Sequence, residues 1–344
     1  MDLDDLQILE GSKREKARIF IFLLLTFLVE QSMQLSLKHP LHGVVDRVNE
    51  NGGPYLGLLM TFPDEEDALL YSGLFVPNSD IPWVDFSGRR FNIGTVHGTD
   101  VIYVMSGEQR LNAGITVQIL LDLFKIQGIV HYGIAGSVND SLSFGDVSVP
   151  KYVAYTSSWK WMESMSEKGH MPKLTFGAYN FPVKGKNLLA MVEFEKEQFF
   201  SAGHPMKEVF WLEIDQTWFD IAGMLQDVKL QRCVNETYCL PNTPKVVYGL
   251  RGSTADIYLN NAAYREFLFE EFGVSTVDEE SDAVVKISRS AGVPCIVFRG
   301  VSDLAGGGGN LSSISLVSLA AINAFNVAVE FIRLIGKEKT LKLK

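Results

Sequence analysis

In this 344-residue sequence the side chains with the best claim to chemistry are carboxylates that stand where apolar runs end. The run 295–298 leads through Arg299-Gly-Val to Ser302 and Asp303. An acid just beyond a buried strand sits where α/β sheets place their sites, and burial there raises its pKa and suits it to donate a proton. The same spacing fits a turn or capping aspartate. Residues 277–282, Val-Asp-Glu-Glu-Ser-Asp, open a helix, where negative charge complements the helix dipole. A carboxylate such as Glu279 or Glu280 can equally accept the two vicinal hydroxyls of a ribose. Glu65 and Glu66, in the acidic cluster after the apolar run 55–61, face the same choice between solvated loop charge and ligand contact.

Other chemistries find little support. The glycines at 306–309 are not followed by Lys-Ser/Thr, so there is no P-loop, and no glycine-rich dinucleotide fingerprint follows the first strand. HExxH, paired CxxC and GxSxG are absent, and the six histidines show no metal spacing, so neither a metal nor an organic cofactor is expected. Lys+Arg number 31 against 41 Asp+Glu, a formal charge of −10, which argues against a nucleic acid polymer as partner because that affinity comes from clustered cations.

These acids must be held by regular elements. Residues 55–61 read as a buried strand feeding a loop and a helix, and 91–96 with 101–105 as a hairpin about His97-Gly98. Apolar residues at helical spacing follow over 111–124. Residues 129–134 form another buried strand, ended by Ala135-Gly136-Ser137, and 145–150 a short one. Regular alternation resumes with strand 245–250, helices 260–272 and 281–290, strand 293–298 and a final helix over 312–335 capped by Ser312 or Ser313. The stretch 155–244 has no βαβ rhythm and is rich in Trp, Met, Lys and Glu. Strands alternating with helices give an α/β fold around a mixed sheet. At 344 residues with 47% hydrophobic content, a large core needs no metal or disulfide staples.

The N-terminus has the layout of a cleaved secretory signal, with cations over 13–18, an eleven-residue apolar run over 19–29 and polar residues after it. That run is too short to cross a bilayer comfortably. Residues 1–36 are therefore assigned to a signal peptide and 37–54 to a lead-in, with a secretory, vacuolar or extracellular destination. Of three cysteines, Cys233 and Cys239 lie close together in a polar stretch and could pair in an oxidising compartment, leaving Cys295 as a buried thiol; three unrelated reduced cysteines are the alternative. Glycosylation sequons occur at Asn139, Asn235 and Asn310, with Asn235, between the cysteines, the best placed.

The order of the fragments YLGLLMTFPDEEDALL, FNIGTVHGTDVIYVMSGEQRLNAG, IVHYGIAGSVNDSLSFGDVSVP, STVDEESDAV and FRGVSDLAGG resembles the nucleoside phosphorylase and methylthioadenosine nucleosidase superfamily. HYGIAG, SSWKWM and the long middle segment are most similar to its plant branch of bark and vegetative storage proteins. The resemblance implies a three-layer αβα domain over 55–338 with a central mixed sheet and an insertion at about 155–244. It implies an enzyme that cleaves the N-glycosidic bond of purine or pyrimidine nucleosides, with phosphate as co-substrate giving ribose 1-phosphate. A phosphate-independent nucleosidase and a storage protein with little activity are the alternatives, and a homo-oligomer is expected from the same resemblance.

By that resemblance Asp303 protonates or hydrogen-bonds the purine N7, with Ser302 beside it. Glu280 holds the ribose hydroxyls, with Glu279 where relatives often carry methionine. Glu65 or Glu66, one residue apart, matches a residue that in nucleosidases prepares the attacking water. Thr61 and Gly107 border the nucleophile, and the Ala135-Gly136 turn borders the ribose. Where bacterial phosphorylases place an arginine and a serine to bind phosphate, this chain has His131 and Ile134. Histidine is only partly charged near neutral pH and isoleucine offers no donor, so Arg110 stands as a candidate replacement cation or as a surface arginine.

Overall fold

The computed structural model describes residues 39–161, 172–175, 191–306 and 314–342. The signal peptide expected over 1–36, the Asn310 sequon and the caps expected at Ser312 or Ser313 lie outside the described residues. Helix α1 (His42–Asn51) precedes strand β1 (Tyr55–Met60), helix α2 (Pro63–Ser72), short strands β2 (Phe75–Pro77) and β3 (Trp83–Phe86), and the hairpin of β4 (Arg89–Val96) with β5 (Thr99–Met105). Helix α3 (Arg110–Leu123) leads into the long strands β6 (Ile126–Ser137) and β7 (Val147–Tyr155). Then come β8 (Trp159–Trp161), β9 (Lys173–Thr175), β10 (Met191–Phe194), β11 (Glu197–Ser201), β12 (His204–Val209), β13 (Leu212–Glu213) and helix α4 (Gln216–Ala222). The chain finishes with β14 (Val246–Thr254), α5 (Ala262–Phe272), β15 (Thr276–Asp278), α6 (Ser281–Ser290), β16 (Cys295–Leu304) and α7 (Ile314–Lys342).

Local chemistry accounts for these boundaries. Every residue of β1 is buried, as a parallel strand covered on both faces requires. His97 and Gly98, at φ 51° and 75°, form the two-residue turn whose twist suits a hairpin. Pro63 starts α2 and left-handed Gly73 ends it, while the Asn261 side chain accepts from Tyr264 N at the start of α5.

The strands build an eleven-stranded mixed sheet, and its long members hold several partners each. Strand β6 takes β1 in parallel along the first part of one edge and β15 antiparallel at the end of it, and β16 in parallel along the other edge. Strand β7 pairs with β14 on one side and with β16 and β13 on the other. The pairings therefore close a ring, β6–β16–β7–β14–β15, that alternation of strands and helices alone does not reveal. Helix α7 packs on α2 and on β16 and β6, and α3 packs on α6.

Two strands run past their expected ends. Strand β6 continues from residue 134 to Ser137, and β16 from 298 to Leu304, because the polar stretch Arg299–Asp303 stays laddered to β6. Register shifts between Val301 and Asp303, so Ser302 occupies a bulge that re-aims the aspartate. Asp303 is thus a strand residue, neither a turn nor a helix cap. Close packing of α7 sets this strand: a Cβ at Gly300 would lie 2.2 Å from the Ala320 carbonyl oxygen. Gly300→Ala should cost about 1–3 kcal/mol by overpacking, read as a lowered urea midpoint with an unchanged m-value.

Part of the stretch 155–244 is integral to the main body. Strand β13 joins the large sheet, and Trp218 packs over Gly128 and against Phe331 at 5.2 Å between ring centres. Strands β8–β10 form a small sheet whose Phe194 packs against Phe272 of α5 at 5.0 Å. Cys233 and Cys239 are joined in a disulfide across an exposed loop that carries Asn235, and Cys295 is a buried free thiol.

Candidate active site

A cleft of about 330 Å³ opens where β1, β6, β15 and β16 end. Thr61 follows β1, Ile134 to Gly136 belong to β6, Asp278 to Glu280 close β15, and Ser302 and Asp303 come from the bulge of β16. Apolar Ile257, Leu259 and Val277 supply walls.

Glu65 and Glu66, indistinguishable in the sequence, part company here. The Glu65 side chain turns from the first turn of α2 into the protein, where the residue is fully buried yet borders the cleft. Its Oε2 accepts from Thr61 N at 2.7 Å and Thr61 Oγ1 at 3.0 Å, and its Oε1 from Ile134 N at 2.8 Å. Gly133 is obligatory beside it, since a Cβ there would lie 2.3 Å from Oε1. Burial raises the Glu65 pKa against the opposing pull of Arg299 and these hydrogen bonds. Glu66 is partly buried, takes a hydrogen bond from Tyr103 and does not line the cleft.

Beneath the cleft lies a residue the sequence reading passed over. Arg299 is 1% exposed, directly after the apolar run Cys295 to Phe298 of β16. Its Nε meets Asp278 Oδ2 and Ser281 Oγ, each at 3.0 Å, and its Nη2 meets Glu280 Oε2 at 3.2 Å and His131 Nε2 at 2.5 Å. The signal was present: a cation in a strand that must be buried has to find anions. Three carboxylates, Glu65, Asp278 and Glu280, share this one guanidinium, so full ionisation would leave excess negative charge in a desolvated place. The site resolves the conflict unevenly. Burial pushes Glu280 up to about 8, with Arg299 opposing. Asp278 is also raised by burial, but Arg299 and donors from Ser281 and Thr254 outweigh this and hold it below the usual carboxylate range.

His131, expected in the vicinity of the nucleophile as a weak substitute for an arginine, does not line the cleft. It is fully buried, burial and Arg299 push its pKa down to about 3, and it is neutral. Nδ1 lies 3.2 Å from the Leu59 carbonyl and so carries the proton, while Nε2 accepts from Arg299. Arg110, expected either as a replacement cation or as a surface arginine, is not a free surface arginine. Its Nε donates to Asp282 Oδ2 at 2.8 Å, Nη2 pairs with Glu197, and the guanidinium stacks 4.0 Å over the Tyr155 ring, in a groove beside the cleft. Gly107, at φ 81°, shapes the loop after β5 without lining the cleft; its neighbour Glu108 does line it.

The remaining candidates converge. Glu280 borders the cleft with Oε1 held by Gln109 N at 3.0 Å. Glu279 is half-buried beside it, its pKa raised by burial and by Glu108 and Asp256. Asp303 lies across the cleft; burial raises its pKa against a 2.8 Å hydrogen bond from Ser302 Oγ to Oδ1. Tyr258, a cleft residue the sequence offered no reason to select, is close enough that Asp303 is the main influence raising its pKa. In all, Glu65, Glu108, Asp278, Glu279, Glu280 and Asp303 line the cleft, and among its described lining residues there is no lysine, arginine or histidine. Such a site offers a proton donor at one end and stabilises positive charge at the other.

A family model described as the phosphorylase superfamily matches residues 55–333. Bark storage protein A of Populus deltoides is 44% identical over 307 residues, covering 88% of this chain and 96% of that protein. A 5'-methylthioadenosine/S-adenosylhomocysteine nucleosidase of Halalkalibacterium halodurans is 23% identical over 79% of this chain and 96% of its own length. Among solved structures, the futalosine hydrolase of Helicobacter pylori superposes with a TM-score of 0.56 at 18% identity, covering 83% of this chain and 97% of that one. The 5'-methylthioadenosine/S-adenosylhomocysteine nucleosidase of Helicobacter pylori gives the same score and identity over 82% and 98%. These last two likenesses concern the fold.

Proposed function

Because the chain belongs to the phosphorylase superfamily, we propose that its cleft breaks the N-glycosidic bond of a purine nucleoside, and that water rather than phosphate is the nucleophile. The observation that carries the second half is the make-up of the cleft: six acidic side chains, ionised only in part, and, among the described lining residues, no cation. At an effective dielectric of ~20, each unit of like charge about 4 Å away opposes a phosphate by about 4 kcal/mol. Arg299 cannot offset this, being occupied below the cleft floor by Asp278, Glu280 and His131. The same negative field favours an oxocarbenium-like sugar.

In the proposed reaction Asp303 donates its proton to the departing base, so that the C–N bonding electrons leave on a neutral heterocycle. Glu280 accepts hydrogen bonds from the ribose hydroxyls. A water at Glu65 attacks the anomeric carbon, its proton passing to the Glu65 carboxylate, which burial makes a stronger base than an exposed glutamate. The products are free base and free sugar. The relatives named as 5'-methylthioadenosine/S-adenosylhomocysteine nucleosidases make 5'-methylthioadenosine a natural first substrate to test beside adenosine and inosine.

The 44% identity to a bark storage protein supports a second reading, a reserve protein accumulated in the secretory pathway, vacuole or extracellular space, which the Cys233–Cys239 disulfide suits. Base release from a nucleoside panel, followed chromatographically with and without added phosphate, separates the readings. Hydrolysis predicts release at the same rate in both conditions. Release only with phosphate overturns the choice of nucleophile, and no release from any member favours the reserve protein.

A further inference from the structure

Gln109 stands in a backbone conformation that glycine alone adopts readily, φ 76° and ψ 151°. Its side chain is exposed, so the strain is not offset by burying it. What the conformation delivers is the direction of the Gln109 N–H, which donates to Glu280 Oε1 at 3.0 Å. The next residue is Arg110, whose Nε donates at 2.8 Å to Asp282, a carboxylate 1% exposed. Glu280 and Asp282 both belong to the start of α6, at its cap and its first turn. The loop is thus tied to one helix end twice, once through the strained peptide and once through the guanidinium. Tyr155 under the guanidinium, itself bonded to Asp256 Oδ2 at 2.5 Å, and Glu197, which also pairs with Lys286 at 3.0 Å, fix the arginine from the outside.

We propose that Arg110 is a positioning residue: by gripping Asp282 it holds Gln109 in its strained conformation, and so fixes the Glu280 carboxylate in the orientation that receives the sugar. The proposal deepens the hydrolase reading and rests on it. It also gives Arg110 a purpose that does not involve phosphate. Without the grip, Gln109 relaxes to negative φ, its N–H swings away and Glu280 loses the donor on Oε1, while the cleft keeps its other contacts.

The test is a suppressor experiment. Arg110→Ala should lower kcat by about tenfold, the worth of one well-placed hydrogen bond. Adding Gln109→Gly to Arg110→Ala should return most of that loss, because glycine takes the conformation without being held. If Arg110 merely anchors the β11–β12 hairpin through Glu197, the glycine restores nothing and the proposal is overturned. A second readout needs no turnover: Gln109→Gly alone should raise Tm by about 2 °C through relief of strain, and a lowered Tm overturns the proposal. A wild-type protein that turns over no nucleoside would count against the hydrolase reading, while the Tm comparison still decides the strain.

Discussion

Arg299→Met should destabilise the protein by about 3–5 kcal/mol at neutral pH and abolish turnover, because it removes the one cation from three buried carboxylates while leaving them in place. Methionine follows the same path through the strand, so the loss belongs to charge more than to volume. The pH dependence carries the sign. Glu280 is held up to about 8, so between the ordinary glutamate value of 4.5 and that figure the folded chain keeps a proton the unfolded chain releases, and this group's contribution to stability falls as pH rises. Asp278 works the other way: its lowered pKa supplies stability above the ordinary aspartate value of 3.8 and loses it on acidification. Without Arg299 both acids prefer to stay protonated, and the deficit should be larger at pH 8 than at pH 5. Urea unfolding at the two pH values reads this directly. A deficit below about 1 kcal/mol at both would mean that the buried cluster is not organised by the guanidinium. Arg299→Lys should fall between, since one ammonium cannot serve Asp278, Glu280 and His131 together.

Asp303→Asn should lower kcat by about 10²–10⁴-fold with little change in KM, since the amide still hydrogen-bonds the base but has no acidic proton to give. Burial raises the Asp303 pKa, so the wild-type rate should fall as pH climbs through that value, and this limb should vanish in the variant. A nitrophenyl riboside, whose leaving group departs as a stable anion, should lose far less than a purine nucleoside. An equal loss on both substrates would show that Asp303 shapes the cleft rather than protonating the base.

How much of this was legible without coordinates depends on whether a residue's partner lies near it in the chain. Asp303 and Glu280 stood out as acids that follow apolar runs, but their spacing fitted a turn, a cap or a partner of the helix dipole as well, and only the order of the fragments gave them roles. The hairpin about His97-Gly98 was legible because its turn chemistry is local. Glu65 and Glu66 could not be separated, because the choice is made by Ile134 N, 69 residues away, and by the space left at Gly133. Arg299 was missed because the six buried apolar residues of its strand, Cys295 to Phe298 with Gly300 and Val301, make it read as apolar, and the anions that justify it come from β15, α6 and α2. His131 was read as a poor substitute for a phosphate-binding arginine, and its burial makes it neutral, while Arg110, left open between a replacement cation and a surface arginine, is claimed by Asp282 and Glu197. The ring of β6, β16, β7, β14 and β15 was beyond reach because each long strand divides its edges among several partners.

If water enters where bacterial phosphorylases bind phosphate, the sugar product records it. The wild-type protein should be run to completion on the best nucleoside of the panel in ¹⁸O-water with phosphate present in excess. The expected product is free sugar carrying one solvent-derived oxygen at the anomeric carbon, with phosphate left unesterified. Sugar 1-phosphate without solvent label would contradict it and would require a cation at the cleft that its described lining does not supply.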